Sequence, residues 1–366
     1  MNIILTGVTG TLGSQVLYEL LKQPSCKRFF LLIRNKENFK SKERLMRILN
    51  HPKAPAFIQN NLPAILSKIQ VFDSCTFALP KSYLNPTENN YFIHSAGCVN
   101  LSTATAQRAL LFEENLEHTK RLFKTFTPYL KKFTYISTAF SIGERGGLLD
   151  NNYHNKKPSY RNHYEASKYA TERFLLSHEK TSGVKIQILR PSILGGNIYK
   201  TSQYFISNYM VYYLIGRFFY KNPLVQQNSM RLFANPKSAL NVVPVDYVAQ
   251  VIAKVYTKDI AQLNIVQAKS IDVLPGLKRI FEAVGFNKYC ILNVTNQSYV
   301  LQAKNKLEEL YYNTIGLHLT KYLMATPFEF DTTLLQSILP LPEYNLEEYI
   351  TDTIDYAKRN NFKSAW

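Results

Sequence analysis

The sequence predicts an α/β fold, a doubly wound parallel sheet with a smaller substrate-binding region and a helical C-terminal cap. Three observations lead there. Short apolar runs alternate with amphipathic helical stretches through the first 270 residues. The first of these runs passes directly into a three-glycine turn. From about Ser270 onward the pattern becomes mostly helical.

Ile3-Ile4-Leu5 is the first apolar run, and Val16, Leu17, Leu20 and Leu21 recur at helical spacing after the turn. Phe29 to Ile33 is a second buried-type strand, followed by a charged helical stretch over Lys40–Asn50. Lys68–Phe72 reads as a third strand and Tyr91–His94 as a fourth. Leu110–Phe126 is helical, Phe133–Ser137 a fifth strand, Ser167–His178 a helix and Val184–Leu189 a sixth strand. Residues 1–270 are expected to form the nucleotide domain, with substrate-region insertions over about 195–240, and residues 271–366 a mostly helical substrate or cap region.

The chain has 366 residues, 46% apolar and 19% charged, which excludes a mostly disordered protein. Its four cysteines include no C-x-x-C pair, so neither a disulfide framework nor a zinc knuckle is expected. The formal net charge is +18. It sits in the first 290 residues, because the last 76 hold six Lys and Arg against nine Asp and Glu. A basic body attracts acidic ligands; a Lys-rich proteome with no partner implied would look the same. No nucleic-acid-binding motif is present. The start lacks a signal-peptide pattern, and the most apolar long stretch, Tyr204–Tyr220, carries Ser207, Asn208 and Arg217. A spanning helix needs about 20 apolar residues. A cytoplasmic protein is expected, with peripheral membrane contact and oligomeric state left open.

Gly7, Gly10 and Gly13 form G-x-x-G-x-x-G between the first strand and the first helix. The first glycine allows a tight turn, the second close approach of a pyrophosphate, the third close packing of helix on strand. The helix N-terminus favours negative charge. This places a dinucleotide on a Rossmann-type sheet. At the end of the second strand an acidic residue would bind the ribose 2′-hydroxyl of NAD. Arg34 stands there instead, with Lys36, Lys42 and Arg44 behind it, so NADP(H) is expected. Lys36 and Lys42 read equally as solvated helix charges.

Tyr-x-x-x-Lys occurs three times, at Tyr18/Lys22, Tyr153/Lys157 and Tyr164/Lys168. Only Tyr164 opens a helix between the fifth and sixth strands, where Tyr164 and Lys168 share one face. The fifth strand ends in Ser137-Thr138, at the sheet edge where such folds bind ligands. Tyr18 lies on the helix after the glycine turn, and Tyr153 in an Asn-rich loop. The seven histidines lack metal-ligand spacing, and no metal is expected. His94 and Cys98 read as packing residues, Asp246 as a loop-fixing one, and Arg190 as shaping the floor of the substrate pocket.

Together these residues resemble the extended short-chain dehydrogenase/reductases. More narrowly they are similar to the fatty acyl-CoA reductase and thioester reductase branch, the male-sterility type. Leu31-Leu32-Ile33-Arg34 with Glu43-Arg44-Leu45, His94-Ser95-Ala96-Gly97 with Val99-Asn100, Tyr135–Ala139, Arg190-Pro191-Ser192 and Val243–Val248 carry the narrower likeness. It covers residues 1–290 and, more loosely, the helical tail. Phe72-Asp73 departs from the family's Gly-Asp pair.

The resemblance implies catalysis by Thr138, Tyr164 and Lys168. It implies cofactor contacts from Gly7, Thr9, Gly10, Thr11, Leu12, Gly13, Arg34, Arg44, Asp73, Ser95, Ala96, Gly97, Asn115, Tyr164, Lys168, Pro191 and Ser192. The activity it implies is NADPH-dependent reduction of an acyl thioester, on CoA or acyl carrier protein, to aldehyde or alcohol. Two alternatives stay open. One is a sugar-nucleotide epimerase or dehydratase, or a hydroxysteroid-type dehydrogenase, built on the same triad. The other is an NADP-binding sensor without turnover. Tyr204–Tyr220 reads as one apolar helix, either ordinary core or the wall of an acyl tunnel.

Overall fold

The computed structural model describes residues 1–36, 38–152, 158–199, 202–293 and 302–366. A seven-stranded sheet organises them. Its strands are β1 (Asn2–Thr6), β2 (Arg28–Leu32), β3 (Ile69–Phe72), β4 (Asn90–His94), β5 (Lys132–Ile136), β6 (Lys185–Pro191) and β7 (Gln262–Ile265). The order is β7-β6-β5-β4-β1-β2-β3, and every pairing is parallel. Strands covered on both faces must be apolar throughout, and β1 is buried along its whole length. The order reverses beside β1, so the loops after β1 and β4 diverge and open a crevice at the carboxyl edge.

Among the helices are α1 (Thr11–Leu21), α2 (Ser41–Leu49), α3 (Thr105–Phe112), α4 (His118–Phe126), α5 (His163–Ser182), α6 (Tyr212–Lys221), α7 (Val245–Val255), α8 (Val273–Val284), α9 (Ile315–Leu323) and α10 (Leu346–Arg359). The apolar stripe of α1 packs on α7. Tyr18, also on α1, is buried and donates to the Ile48 carbonyl at 2.8 Å. It therefore faces α2, away from the crevice. Tyr153 and Lys157 lie outside the described residues.

Three expectations change. Helix α5 begins four residues before Ser167 and ends four residues after His178, because the Asn162 side chain caps it by accepting from Glu165 N–H and Gly183 closes it at φ +68°. The helix expected over 110–126 starts at Thr105 and contains a π-turn, Glu113–Glu117, between α3 and α4. Within 204–220 only Tyr212 onward is helical, since Tyr204 and Val211 have φ of +62° and +54°. Non-glycine residues rarely adopt that region, and a right-handed helix cannot pass through it.

After Ser270 the described elements are mostly helices, but three short strands return to earlier parts of the chain. Ile271–Asp272 pairs with Ala239–Leu240, Tyr289–Asn293 with Met230–Ala234, and Phe328–Phe330 with Gly147–Leu149. Helix α6 packs against α8 and α10. The residues after α10 return to the glycine turn. Ala365 N–H donates to the Ser207 carbonyl at 2.9 Å. The Trp366 indole N–H donates to the Thr9 carbonyl at 3.0 Å. The His51, Phe205 and Trp366 rings cluster, with His51 5.2 Å from each of the others and those two 5.9 Å apart.

Candidate active site

The carboxyl edge of the sheet encloses a cavity of about 460 Å³. Gly7, Gly10, Thr11, Leu12 and Gly13 line it from the turn after β1, and Ser95 and Gly97 from the turn after β4. Thr138 lines it from the end of β5, Tyr164 and Lys168 from α5, and Pro191 and Ser192 from the end of β6. Gly7 has φ +75°, and a Cβ there would stand 2.5 Å from the Ala96 nitrogen. A Cβ on Gly13 would come within 2.1 Å of the Gly7 carbonyl oxygen. Backbone alone therefore forms this wall, at the N-terminus of α1.

Among the described residues, Lys168 is the cavity's one charged side chain. Its ammonium donates to the Ile136 carbonyl at 2.7 Å and lies 4.4 Å from the centre of the Tyr135 ring. Burial pulls its pKa down to about 7, against a smaller upward pull from the Glu172 carboxylate. Thr138 accepts from Phe140 N–H at 3.3 Å, which leaves its hydroxyl free to hydrogen-bond Tyr164. Burial raises the Tyr164 pKa, and the Thr138 contact lowers it. Hydroxyl, phenol and ammonium thus meet at one wall.

Asn115 supports that wall from the π-turn. Its side chain donates to Ser167 Oγ at 2.9 Å and to the Cys98 carbonyl at 3.1 Å, and accepts from Cys98 N–H at 2.7 Å. This fastens the turn after β4 to the helix bearing Tyr164 and Lys168. Ala96 N–H donates to Thr6 Oγ1 at 3.2 Å, behind the cavity lining. Thr9 accepts from Arg44 Nη2 at 2.9 Å, and Arg34 pairs with Glu114 at 3.1 Å, both beside the glycine turn and outside the cavity. Asp73 is exposed and caps the short helix Ser74–Phe77 by accepting from Thr76 N–H at 2.8 Å.

Arg190 does not form the pocket floor. Its guanidinium is fully buried and bonds the Glu172 carboxylate, the Asn151 carbonyl and Gln262. A charge that deep requires a partner, and it finds one in the Glu172 carboxylate of α5. His94 shares hydrogen bonds with Thr6 at 2.6 Å and Thr119 at 2.9 Å, and burial drives its pKa well down, so it is a neutral packing group. Burial pushes the Cys98 thiol up, away from thiolate. Asp246 accepts from the N–H groups of Ile198, Tyr199 and Tyr247 and fixes that loop; burial holds its pKa at about 6.

The same cavity is lined by Phe140, Leu194, Ile206, Met210, Val211 and Tyr322, with Asn208 adding a polar group from the 204–220 segment. Sequence reasoning located part of this in 204–220 but not Tyr322, which comes from α9. Glu172 was also missed, although its place one turn beyond Lys168 on the same face was visible. No group of three or more His, Cys, Asp or Glu that could hold a metal occurs among the described residues. The glycine wall, the helix N-terminus and the single ammonium fit a nicotinamide dinucleotide.

Comparison with known proteins agrees. Residues 5–252 match the family model for male sterility protein. A Drosophila melanogaster protein described as a fatty acyl-CoA reductase is 22% identical over 413 residues, spanning 99% of this chain and 72% of that one. The terminal R domain of the myxalamid PKS-NRPS pathway superposes with a TM-score of 0.71 at 18% identity, covering 100% of this chain and 92% of the domain. UDP-glucuronic acid 4-epimerase from Bacillus cereus, in complex with NAD, superposes with a TM-score of 0.62 at 15% identity, covering 98% and 97%. The two structures share the fold. The family model spans most of the nucleotide-binding sheet and the Thr138–Tyr164–Lys168 wall, so the chain belongs to the male sterility protein family and is an NAD(P)-dependent reductase.

Proposed function

We propose that this protein is an NADPH-dependent reductase of acyl thioesters, carried on CoA or acyl carrier protein, giving aldehyde or alcohol. The observation that carries the reading is that Thr138, Tyr164 and Lys168 line the same cavity as a set of apolar side chains, Leu194, Ile206, Met210 and Val211 among them. An acyl chain needs apolar surface beside the reacting carbonyl, and the cavity's exposed lining is mostly apolar. Family membership and the Drosophila relative support the same substrate class.

When bound, the reduced nicotinamide supplies hydride. The chain's own residues do the rest. The glycine turn and the N-terminus of α1 take the pyrophosphate, and Arg34 and Arg44 take the 2′-phosphate. Lys168 holds positive charge beside the phenol and binds ribose hydroxyls. Tyr164 Oη delivers its proton to the substrate carbonyl oxygen, and the resulting hemithioacetal breaks its C–S bond to release aldehyde and free thiol. Thr138 hydrogen-bonds the same oxygen as charge develops there. Residues 1–270 serve the nucleotide and, through Leu194, Ile206, Met210 and Val211, also the substrate, to which residues 271–366 add Tyr322.

The experiment is NADPH oxidation with long-chain acyl-CoA and acyl carrier protein, run beside UDP-sugars and steroids. Turnover of an acyl thioester is expected. Turnover of a sugar nucleotide alone, or tight co-purified NAD, would overturn the reading; nucleotide binding with no turnover on any substrate would make the protein a sensor. The described helices include none long and apolar enough to cross a membrane.

A further inference from the structure

Arg34 follows β2, at the place where the fold meets the adenosine ribose. Its guanidinium is already engaged: Nη1 lies 3.1 Å from Glu114 Oε2. Beside it, Arg44 is held by two bonds, from Nη1 to the Arg34 carbonyl at 2.5 Å and from Nη2 to Thr9 Oγ1 at 2.9 Å. The two guanidiniums are close enough that Arg34, after burial, contributes to lowering the Arg44 pKa. The site therefore has one fixed cation, Arg44, and one cation whose ligand is an acidic side chain of the chain itself.

We propose that Glu114 sets the nucleotide preference of this site by competing with a 2′-phosphate for the Arg34 guanidinium, an inference that rests on the NADPH reading above. A 2′-phosphate brings up to two negative charges to Arg34. It must displace the Glu114 carboxylate and then sit near it. A 2′-hydroxyl faces no such cost, because a carboxylate accepts its hydrogen bond. Glu114 thus narrows the advantage that Arg34 and Arg44 give to NADP(H). The pair is open to solvent, with side chains 67% and 35% exposed, so the competition is modest in size.

Glu114 also immediately precedes Asn115 on the π-turn. Asn115 holds Cys98 and Ser167, which fixes the backbone that presents Glu114 to Arg34. The competitor is therefore anchored, and moving Arg34 off it is a side-chain event.

The test is titration calorimetry of the full chain with NADP⁺ and with NAD⁺, for wild type, Glu114→Gln, Arg34→Ala and the double variant. Glu114→Gln should tighten NADP⁺ about two- to fivefold and leave NAD⁺ unchanged or weaker. Most of that gain should vanish in the Arg34→Ala background, and rising salt should shrink it. An unchanged NADP⁺-to-NAD⁺ ratio in Glu114→Gln overturns the proposal even if Arg34→Ala weakens NADP⁺, and then the NADPH reading stands alone. No loss of NADP⁺ affinity in Arg34→Ala overturns both. A thermal melt of Glu114→Gln matching wild type confirms that the comparison is between folded proteins.

Discussion

Glu172 and Arg190 form a fully buried ion pair between α5, which bears Tyr164 and Lys168, and β6, with Nε bonding both carboxylate oxygens at 3.1 and 3.0 Å and Nη2 adding a third bond at 2.8 Å. Glu172 lies one turn beyond Lys168 and also accepts from the Ser137 hydroxyl. The pair therefore joins β5, β6 and α5 where the site residues emerge. Removing one partner strands the other charge, so Arg190→Met should cost about 3–5 kcal/mol in denaturant unfolding. Adding Glu172→Met should recover much of that loss. Two single variants with wild-type stability would show the pair to be inert.

Lys168 carries a pH signature. Burial lowers its folded-state pKa to about 7 from an ordinary 10.5. The unfolded chain keeps this proton up to the higher value. The cost of burying the charge is thus full below pH 7 and fades as pH rises toward 10.5. Lys168→Met removes the titration. Its stability relative to wild type should be greatest at pH 6 and fall toward pH 10, by on the order of 5 kcal/mol at most. Melts of the nucleotide-free protein across that range measure it, and a constant difference would rule it out.

Tyr164→Phe should lower turnover by about 10²–10⁴-fold while NADP⁺ binding stays nearly intact, because the phenol acts on substrate oxygen. Lys168→Ala should impair both. Tyr18→Phe supplies the control. Its hydroxyl bonds the Ile48 carbonyl, so the change should cost about 1 kcal/mol of stability and spare activity. Kinetics paired with calorimetry separate the three variants.

The segment 204–220 divides at Val211. Tyr213 is wholly buried and accepts from Gly196 N–H at 3.0 Å, so Tyr213→Ala should cost about 3–5 kcal/mol with every substrate. Met210 lines the cavity and lies outside the helix. Met210→Ala should leave stability close to wild type and alter the preference between short and long acyl thioesters. Equal loss of activity on both would place Met210 outside the acyl path.

What the residues reveal on their own is what is local. β1, its glycine turn and α1 were legible because strand, turn and helix succeed one another within 21 residues. Context within the α/β alternation likewise separated Tyr164/Lys168 from Tyr18/Lys22. The limits of α5 are also present in the sequence, as the capping Asn162 and Gly183, though its apolar spacing alone stops short of both. Two features were not legible. The positive φ values at Tyr204 and Val211 fall on residues that seldom adopt them, so periodicity extended a helix through both. Tyr322 reaches the cavity through packing between segments more than 150 residues apart, as its bond to Glu165 shows, which spacing does not encode.

The sequence contains a single tryptophan, and its indole N–H is bonded to the carbonyl of Thr9 inside the glycine turn. The chain therefore carries its own optical probe at the mouth of the nucleotide site. Indole emission shifts with the strength of the hydrogen bond it donates and with the polarity around it. Excitation at the red edge of tyrosine absorption would single out Trp366 from 25 tyrosines. The emission would follow nucleotide arrival in a stopped-flow trace with no label attached, while the neighbouring His51 ring would make the signal quench as that imidazole gains a proton.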